Sequence, residues 1–295
     1  MKNFKTKTLL QITTYIEATL KESTTFSFLV ANPNNKQNRS LKSWVNLAEL
    51  YFCRILTPKK IDEETVELTF EKLNQDFSFH SAPVEVKEEK YGTESIFFNI
   101  NKNEEPTFLH AYKKALEAVK IETRKEVLNL GINKGDEFEL IAQLLNEKTF
   151  DNIKFKGIDH SQSALTYAKE RFPKDNVQFY KHDINTIKEL NLPKSDLIIS
   201  IGTLQSPSIN YKPFLMSLVQ EHLTHDGAFI LGFPNSRWID GELVYGAKAP
   251  NYPYSEMSLL YNDVIFAKKY LQQKKFRVTI TGREYIFLTA TRIGL

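Results

Sequence analysis

An α/β fold, built on a mostly parallel sheet covered on both faces, is predicted from residue 125 onward by three observations. Strand-like and helix-like segments alternate there with short connections. The first strand-like run enters a glycine turn and then an amphipathic helix, in the order Glu126-Val127-Leu128-Asn129-Leu130-Gly131-Ile132-Asn133-Lys134-Gly135-Asp136. At the far end, two strands meet across Gly282-Arg283, a connection short enough to force an antiparallel hairpin.

Taken in order, the first strand is expected at Glu126–Leu130. Its helix, over residues 136–146, places Phe138, Ile141, Leu144 and Leu145 on one face. A second strand over 154–158 ends in Asp159-His160, and Ser161 caps a helix that turns Leu165, Ala168 and Phe172 inward until Pro173 helps to end it. A third strand, 177–180, leads into His182-Asp183-Ile184, and a fourth, 196–200, into Ile201-Gly202-Thr203-Leu204-Gln205. Pro213 suits a first helical turn, Phe214, Leu215, Leu218, Val219 and Leu223 form a buried stripe, and His225-Asp226-Gly227 is expected to turn the chain. Strand five is expected over 228–233. A long connection with little regular structure follows it, then a helix over 255–273 and strands over 276–281 and 284–291.

The preceding residues differ in character. An amphipathic helix is expected to carry Leu9, Ile12, Ile16 and Leu20, then a strand over 26–31, and a second helix through Trp44, Leu47, Leu50, Tyr51 and Ile55. Val66, Leu68 and Phe70 alternate as a half-buried strand, the polar run 84–94 is a candidate linker, and residues 106–120 form a helix that packs against the sheet. The expected division is an α+β region over 1–100, selecting substrate, and a sheet domain over 101–295.

With 295 residues, 41% hydrophobic and 25% charged, the chain is globular and not disordered. Its single cysteine, Cys53, excludes an internal disulfide and a multi-cysteine zinc site. No apolar run approaches the roughly 20 residues that cross a bilayer, and residues 1–10 lack a signal-peptide core, so a cytoplasmic protein without membrane contact is expected. His80, His110, His182, His222 and His225 show no ligand spacing, and no metal is assigned. Net charge is +3, yet residues 1–42 hold 7 basic against 2 acidic side chains and residues 264–295 hold 7 against 1. Such ends suit RNA, a phosphorylated substrate or plain solvent.

Polar or glycine-bearing loops after five strands matter because open α/β sheets bind ligands outside the carboxyl ends of their strands. On the residues just quoted, the chain from about 125 to 295 resembles the class I S-adenosylmethionine-dependent methyltransferase family. That resemblance implies a Rossmann-like seven-stranded sheet, mostly parallel with an antiparallel last strand, behind an N-terminal α+β extension. It implies S-adenosylmethionine as cofactor, held by Asn129, Gly131, Ile132, Asn133, Gly135 and Asp136 of the first turn. Asp159 falls where the family grips both ribose hydroxyls, and His160 follows it. Its alternative is an ordinary helix-start acid ahead of Ser161. Asp183 matches the position facing the adenine amino group, Ile184 flanks the ring, and Ser200, Ile201 and Gly202 match the segment that meets the methionine portion.

Two positions depart from the family pattern: Asn129 replaces an acidic residue, and Asn133 replaces a glycine, although asparagine tolerates left-handed geometry. Asp136 or Glu137 can replace the missing acid at 129, or simply favour the positive helix N-terminus. An Asn/Asp-Pro-Pro-aromatic motif and a Pro-Cys nucleophile are both absent from the sequence. Direct displacement at the methyl carbon remains, onto an oxygen or nitrogen of a small molecule or RNA, and the catalytic residue is unassigned. Gln205, Arg237, Trp238 and Asp240 are substrate candidates, with local packing and pairing as the alternative. Two other readings stay open: a non-catalytic S-adenosylmethionine-binding module, and a nicotinamide-dependent dehydrogenase. Against the latter, Gly-x-Gly-x-x-Gly is met only at Gly131.

Overall fold

The computed structural model describes residues 1–75, 91–247 and 256–294, with only the backbone of residue 259. It divides into two compact units, Met1–Ala82 with Trp238–Val244, and Pro83–Arg237 with Tyr245–Leu295.

The first unit runs β1 (Lys2–Asn3), α1 (Leu9–Thr19), β2 (Thr25–Ala31), α2 (Leu41–Leu50), β3 (Cys53–Ile55), β4 (Lys59–Lys60) and β5 (Thr65–Lys72). Its sheet order is β1-β2-β5-β3 with β4 also on β5; β1 lies parallel to β2 and the other pairs are antiparallel. Alternation explains the pairing. Phe26, Phe28 and Val30 of β2 stand opposite Phe70, Leu68 and Val66 of β5, and all six are buried with Ile12, Ile16 and Trp44. The expected second helix stops at Leu50, because Phe52 adopts a left-handed φ of 53° and Ile55 has entered β3. Leu9 and Leu50, expected on buried faces, are 47% and 70% exposed. Cys53 packs in this core, and burial pushes its thiol up to about 11.

The second unit contributes α3 (Pro106–Ala118), β6 (Glu126–Leu130), α4 (Asp136–Leu144), α5 (Glu147–Asp151), β7 (Lys154–Asp159), α6 (Gln162–Arg171), β8 (Val177–Lys181), β9 (Ser195–Ile201), α7 (Tyr211–Ser217) and β10 (Leu223–Pro234). It closes, after β11 (Ser236–Ile239) and β12 (Glu242–Tyr245), with α8 (Ser258–Gln273), β13 (Phe276–Gly282) and β14 (Tyr285–Arg292). Among the described residues one sheet of seven strands runs β13-β14-β10-β9-β6-β7-β8, and β14 alone runs opposite to the other six.

Because successive residues of a strand point to opposite faces, β6 sends Val127 into one core and Leu128 and Leu130 into the other. The first core holds Phe108 and Tyr112 of α3 with Phe138 and Ile141 of α4; the second holds Leu215 of α7 with Ala267 and Leu271 of α8. Burying each large side chain contributes about 1.5–3 kcal/mol, and two covered faces explain why central strands read as unbroken apolar runs.

Three local expectations are corrected. The helix after the glycine turn ends at Leu144, and Asn146 starts α5 by accepting the Thr149 N–H at 2.9 Å. Residues 225–227 do not end an element: β10 already pairs at Leu223 with Ser195, and its register shifts before Ala228 meets Leu197, so the segment bulges from a continuous strand. Nor is the connection after β10 irregular throughout. Asp240 (φ 48°) and Gly241 (φ 78°) supply the two positive φ angles of a tight hairpin turn between β11 and β12. Of the expected linker, residues 84–90 lie outside the described residues, while 91–94 pack against the sheet unit.

Candidate active site

The strand ends carry the site. After β6 the backbone turns through Gly131 (φ 77°), Asn133 (φ 47°) and Gly135 (φ 90°), three left-handed residues in five positions. Two of these glycines are also enforced sterically: a Cβ on Gly131 would lie 2.0 Å from Thr203 Oγ1, and one on Gly135 2.8 Å from Phe172 Cε2. Gly131 and Ile132 donate their N–H groups to Ile158 O at 2.8 and 3.1 Å, which ties the turn to the end of β7. The Ile132 side chain is buried beneath it, against Gly157.

Asp159, the last residue of β7, is 5% exposed. Its Oδ2 accepts the Asn133 N–H at 2.8 Å and its Oδ1 accepts the Ser161 N–H at 3.0 Å. A carboxylate offers about four lone-pair sites, so acceptor capacity is left over. His160 Nδ1 lies 3.6 Å from Asp159 Oδ1, and its half-exposed ring meets the edge of Tyr91. Asp183, exposed after β8, accepts both Asn185 N and Asn185 Nδ2 on Oδ1 at 2.9 Å, while the neighbouring Ile184 is buried. Ser200 is buried and donates to Leu130 O at 3.3 Å; Ile201 is buried as well. Gly202 (φ 77°) donates to Gly232 O at 2.8 Å.

Asn129 is the most informative of these side chains. It is 1% exposed, one residue before the end of β6, and neither its Oδ1 nor its Nδ2 has a hydrogen-bond partner among the described residues. Leaving such a group unmatched costs about 1–3 kcal/mol, so a ligand or solvent partner is strongly favoured there.

Asp136 at the start of α4 is committed elsewhere: Arg171 Nη1 reaches its Oδ1 at 2.8 Å, and Lys134 Nζ stands 3.7 Å from its Oδ2. Its neighbour Glu137 is buried, and burial pushes that carboxyl up to about 7, Asp136 and Asp159 adding to the rise and Lys102 opposing it.

Lys102, Tyr91 and Tyr285 were missed by sequence reasoning. Residues 91–102 cross the turn, where Asn133 Nδ2 donates to Tyr91 O at 2.7 Å, Lys134 Nζ donates to Phe98 O at 2.6 Å and Ile100 O at 3.0 Å, and Thr93 N donates to Ser163 Oγ at 3.0 Å. Lys102 thereby sits 5.5 Å from the centre of the Tyr285 ring and beside Glu137 and Asp136. Burial works to lower its pKa, but Tyr285, Glu137 and Asp136 together raise it, and the net direction is upward. A polar segment without periodicity gave no signal of this, although a lysine ahead of an acid-rich helix start was visible.

The substrate candidates separate. Gln205 Oε1 is buried without a partner among the described residues, and burial lowers the pKa of the partly buried Arg237; both belong to the sheet unit. Trp238 and Asp240 belong to the stretch grouped with the N-terminal unit, where Asp240 occupies its turn. Among the described residues no group of three or more His, Cys, Asp or Glu is placed to hold a metal, and no helix is long and apolar enough to cross a membrane.

A doubly wound sheet with one reversed strand, and a glycine turn fastened to an acid on the next strand, defines an α/β protein of the class whose ligands bind outside the carboxyl ends of the strands. A family model described as a methyltransferase domain matches residues 121–277, just over half of the chain. The chain belongs to this methyltransferase family, whose class I members take S-adenosylmethionine as cofactor, and the dehydrogenase alternative falls away.

Similar solved structures include a precorrin-6y C5,15-methyltransferase from Geobacter metallireducens GS-15 (12% identity, 62% of this chain and 88% of that one, TM-score 0.42). TehB from Haemophilus influenzae is another (16% identity, 79% and 72% covered, TM-score 0.42). A third is coclaurine N-methyltransferase bound to N-methylheliamine and SAH (22% identity, 43% and 36% covered, TM-score 0.35). No curated protein sequence matches the chain significantly.

Proposed function

We propose that this protein transfers the methyl group of S-adenosylmethionine to a nitrogen or oxygen of a small molecule or RNA, with the cofactor seated across the carboxyl ends of β6, β7, β8 and β9. The observation that carries the reading is the buried amide of Asn129 near the end of β6, without a partner among the described residues, together with a carboxylate at the end of the adjacent β7, Asp159, that has acceptor capacity to spare.

The residues fit the group. Asp159 accepts from the ribose hydroxyls with the lone pairs its backbone partners leave, and Asp183 accepts from the adenine amino group. Asn129 Oδ1 accepts from the ammonium, a neutral substitute for the acid usual at this position. Lys102 supplies a cation for the carboxylate. The cofactor, when bound, supplies a methyl group on a positively charged sulfur. The protein's part is to fix that group in line with the acceptor and to exclude water, and positioning of this kind can account for several orders of magnitude in rate.

Calorimetric titration with S-adenosylmethionine and S-adenosylhomocysteine tests the cofactor half; failure of both to bind sinks it. Incubation of cell extract with methyl-labelled cofactor, followed by separation of RNA, protein and small molecules, tests the acceptor half. Label confined to protein would overturn the acceptor class.

A further inference from the structure

The N-terminal unit contains a cleft of ≈ 290 Å³ that the methyl-transfer reading does not use. It follows from the one parallel pair of that sheet. Because β1 and β2 run the same way, their carboxyl ends lie at the same edge, and the chain leaves both there, through Lys5-Thr6-Lys7 into α1 and through residues 32–39 into α2. The two loops are built and joined: Lys5 N donates to Asn3 Oδ1 at 3.0 Å, Asn38 Nδ2 to Asn32 O at 3.0 Å, and Arg39 Nη2 to Lys7 O at 2.9 Å.

The chemistry of the lining has one sign. Lys5, Lys7 and Arg39 line the cleft with Gln37, Asn38 and Trp44, and no acidic side chain is among the lining residues. Lys5 Nζ is held at 3.1 Å from Thr65 Oγ1, and the Arg39 guanidinium stacks 5.8 Å from the centre of the Trp44 ring. Both helices begin at the cleft, so their positive ends add to the side-chain charges. Asp62 feels Lys5, but its carboxyl is held low first by hydrogen bonds from Thr65 and Glu64. Trp44 is 2% exposed and lines the cleft, while its Nε1–H is closed off from solvent and has no hydrogen-bond partner among the described residues.

Three cations, one of them a guanidinium fork, suit a ligand that only accepts hydrogen bonds and carries more than one negative charge. The volume is that of a small-ligand pocket rather than of the extended groove that tracks a nucleic-acid backbone. We propose that this cleft binds the terminal phosphate monoester of a small ligand, with Lys5, Lys7 and Arg39 neutralising the phosphate and Trp44 forming its inner wall. The proposal holds whichever acceptor is methylated.

The test uses the full chain without S-adenosylmethionine, titrated calorimetrically with inorganic phosphate, glycerol 3-phosphate and glycerol at constant ionic strength. The indole N–H signals of the two tryptophans are followed by NMR and assigned by Trp44→Phe. Saturable binding of the two phosphates but not of glycerol is expected, moving the Trp44 signal and weakening at least tenfold in Arg39→Ala. Lys7→Glu, at an exposed position, is the second variant if the first is poorly folded, and the same loss is expected. Absence of saturable binding, unchanged affinity in a folded variant, or tighter binding of a single-stranded RNA lacking a terminal phosphate would each overturn the proposal.

Discussion

Asp159 Oδ2 accepts the main-chain N–H of Asn133 at 2.8 Å, so the carboxylate at the end of β7 clasps the middle of the turn that follows β6. One side chain thus sets the loop and, in the proposed function, receives the ribose. Asp159→Ala is therefore expected to remove S-adenosylmethionine binding and also to cost about 3 kcal/mol, because two enclosed amides lose a charged acceptor. Asp159→Asn keeps one oxygen and should recover part of the stability without restoring affinity. Thermal unfolding and calorimetry on both variants check the split; full affinity in a folded Asp159→Ala protein would remove the ribose role.

Gly131→Ala is expected to destabilise by more than the 1–2 kcal/mol typical of a left-handed alanine, since the new methyl also meets Thr203 Oγ1. Thr203→Ala in that background should relieve the clashes with Oγ1 and Cγ2 but not the one with Thr203 Cβ at 2.8 Å, and should leave the φ part. Denaturant unfolding of the two single variants and the double variant measures the coupling, and strict additivity would show that Thr203 does not press on the turn.

Glu137 titrates near pH 7 in the fold because it is buried, against an ordinary value of 4.5. For a carboxyl raised on folding, the favourable contribution is complete below pH 4.5 and is lost as pH rises through 7. Stability is therefore expected to fall across that window, and Glu137→Gln should flatten the fall. The carboxyl carbon shift of Glu137, followed by NMR, should show a midpoint near 7; a midpoint near 4.5 would contradict the burial argument.

Lys156, only 7% exposed in its side chain, pairs with Glu126. Glu126→Ala should cost about 3 kcal/mol by leaving an ammonium enclosed, whereas Lys156→Met combined with Glu126→Leu should be close to neutral. Chemical denaturation distinguishes the two, and a cheap single variant would mean that solvent reaches Lys156.

The succession of strands along the chain and the single reversed strand were legible because glycine turns, buried strands and the closing hairpin each leave a local mark. Asn129, Asp159 and Asp183 stood out for the same reason: each falls at the end of a strand. What the chain hid depends on contacts between distant segments. Lys102 gains its place only when residues 91–102 pack over Lys134 and Asn133. His225-Asp226-Gly227 looked like a turn and is a bulge, since Leu223 already pairs with Ser195. Asp240-Gly241 carried a hairpin signature inside a segment read as irregular.

Ile239 and Val244 are buried together with Leu73, so the N-terminal unit completes a small apolar cluster with residues delivered some 165 positions later in the chain. During synthesis its first 75 residues are therefore exposed to the cell well before the strip that finishes them leaves the ribosome, whereas most domains fold as soon as their own stretch has emerged. Order of appearance, not only final packing, makes this unit dependent on the sequence that lies between its two halves.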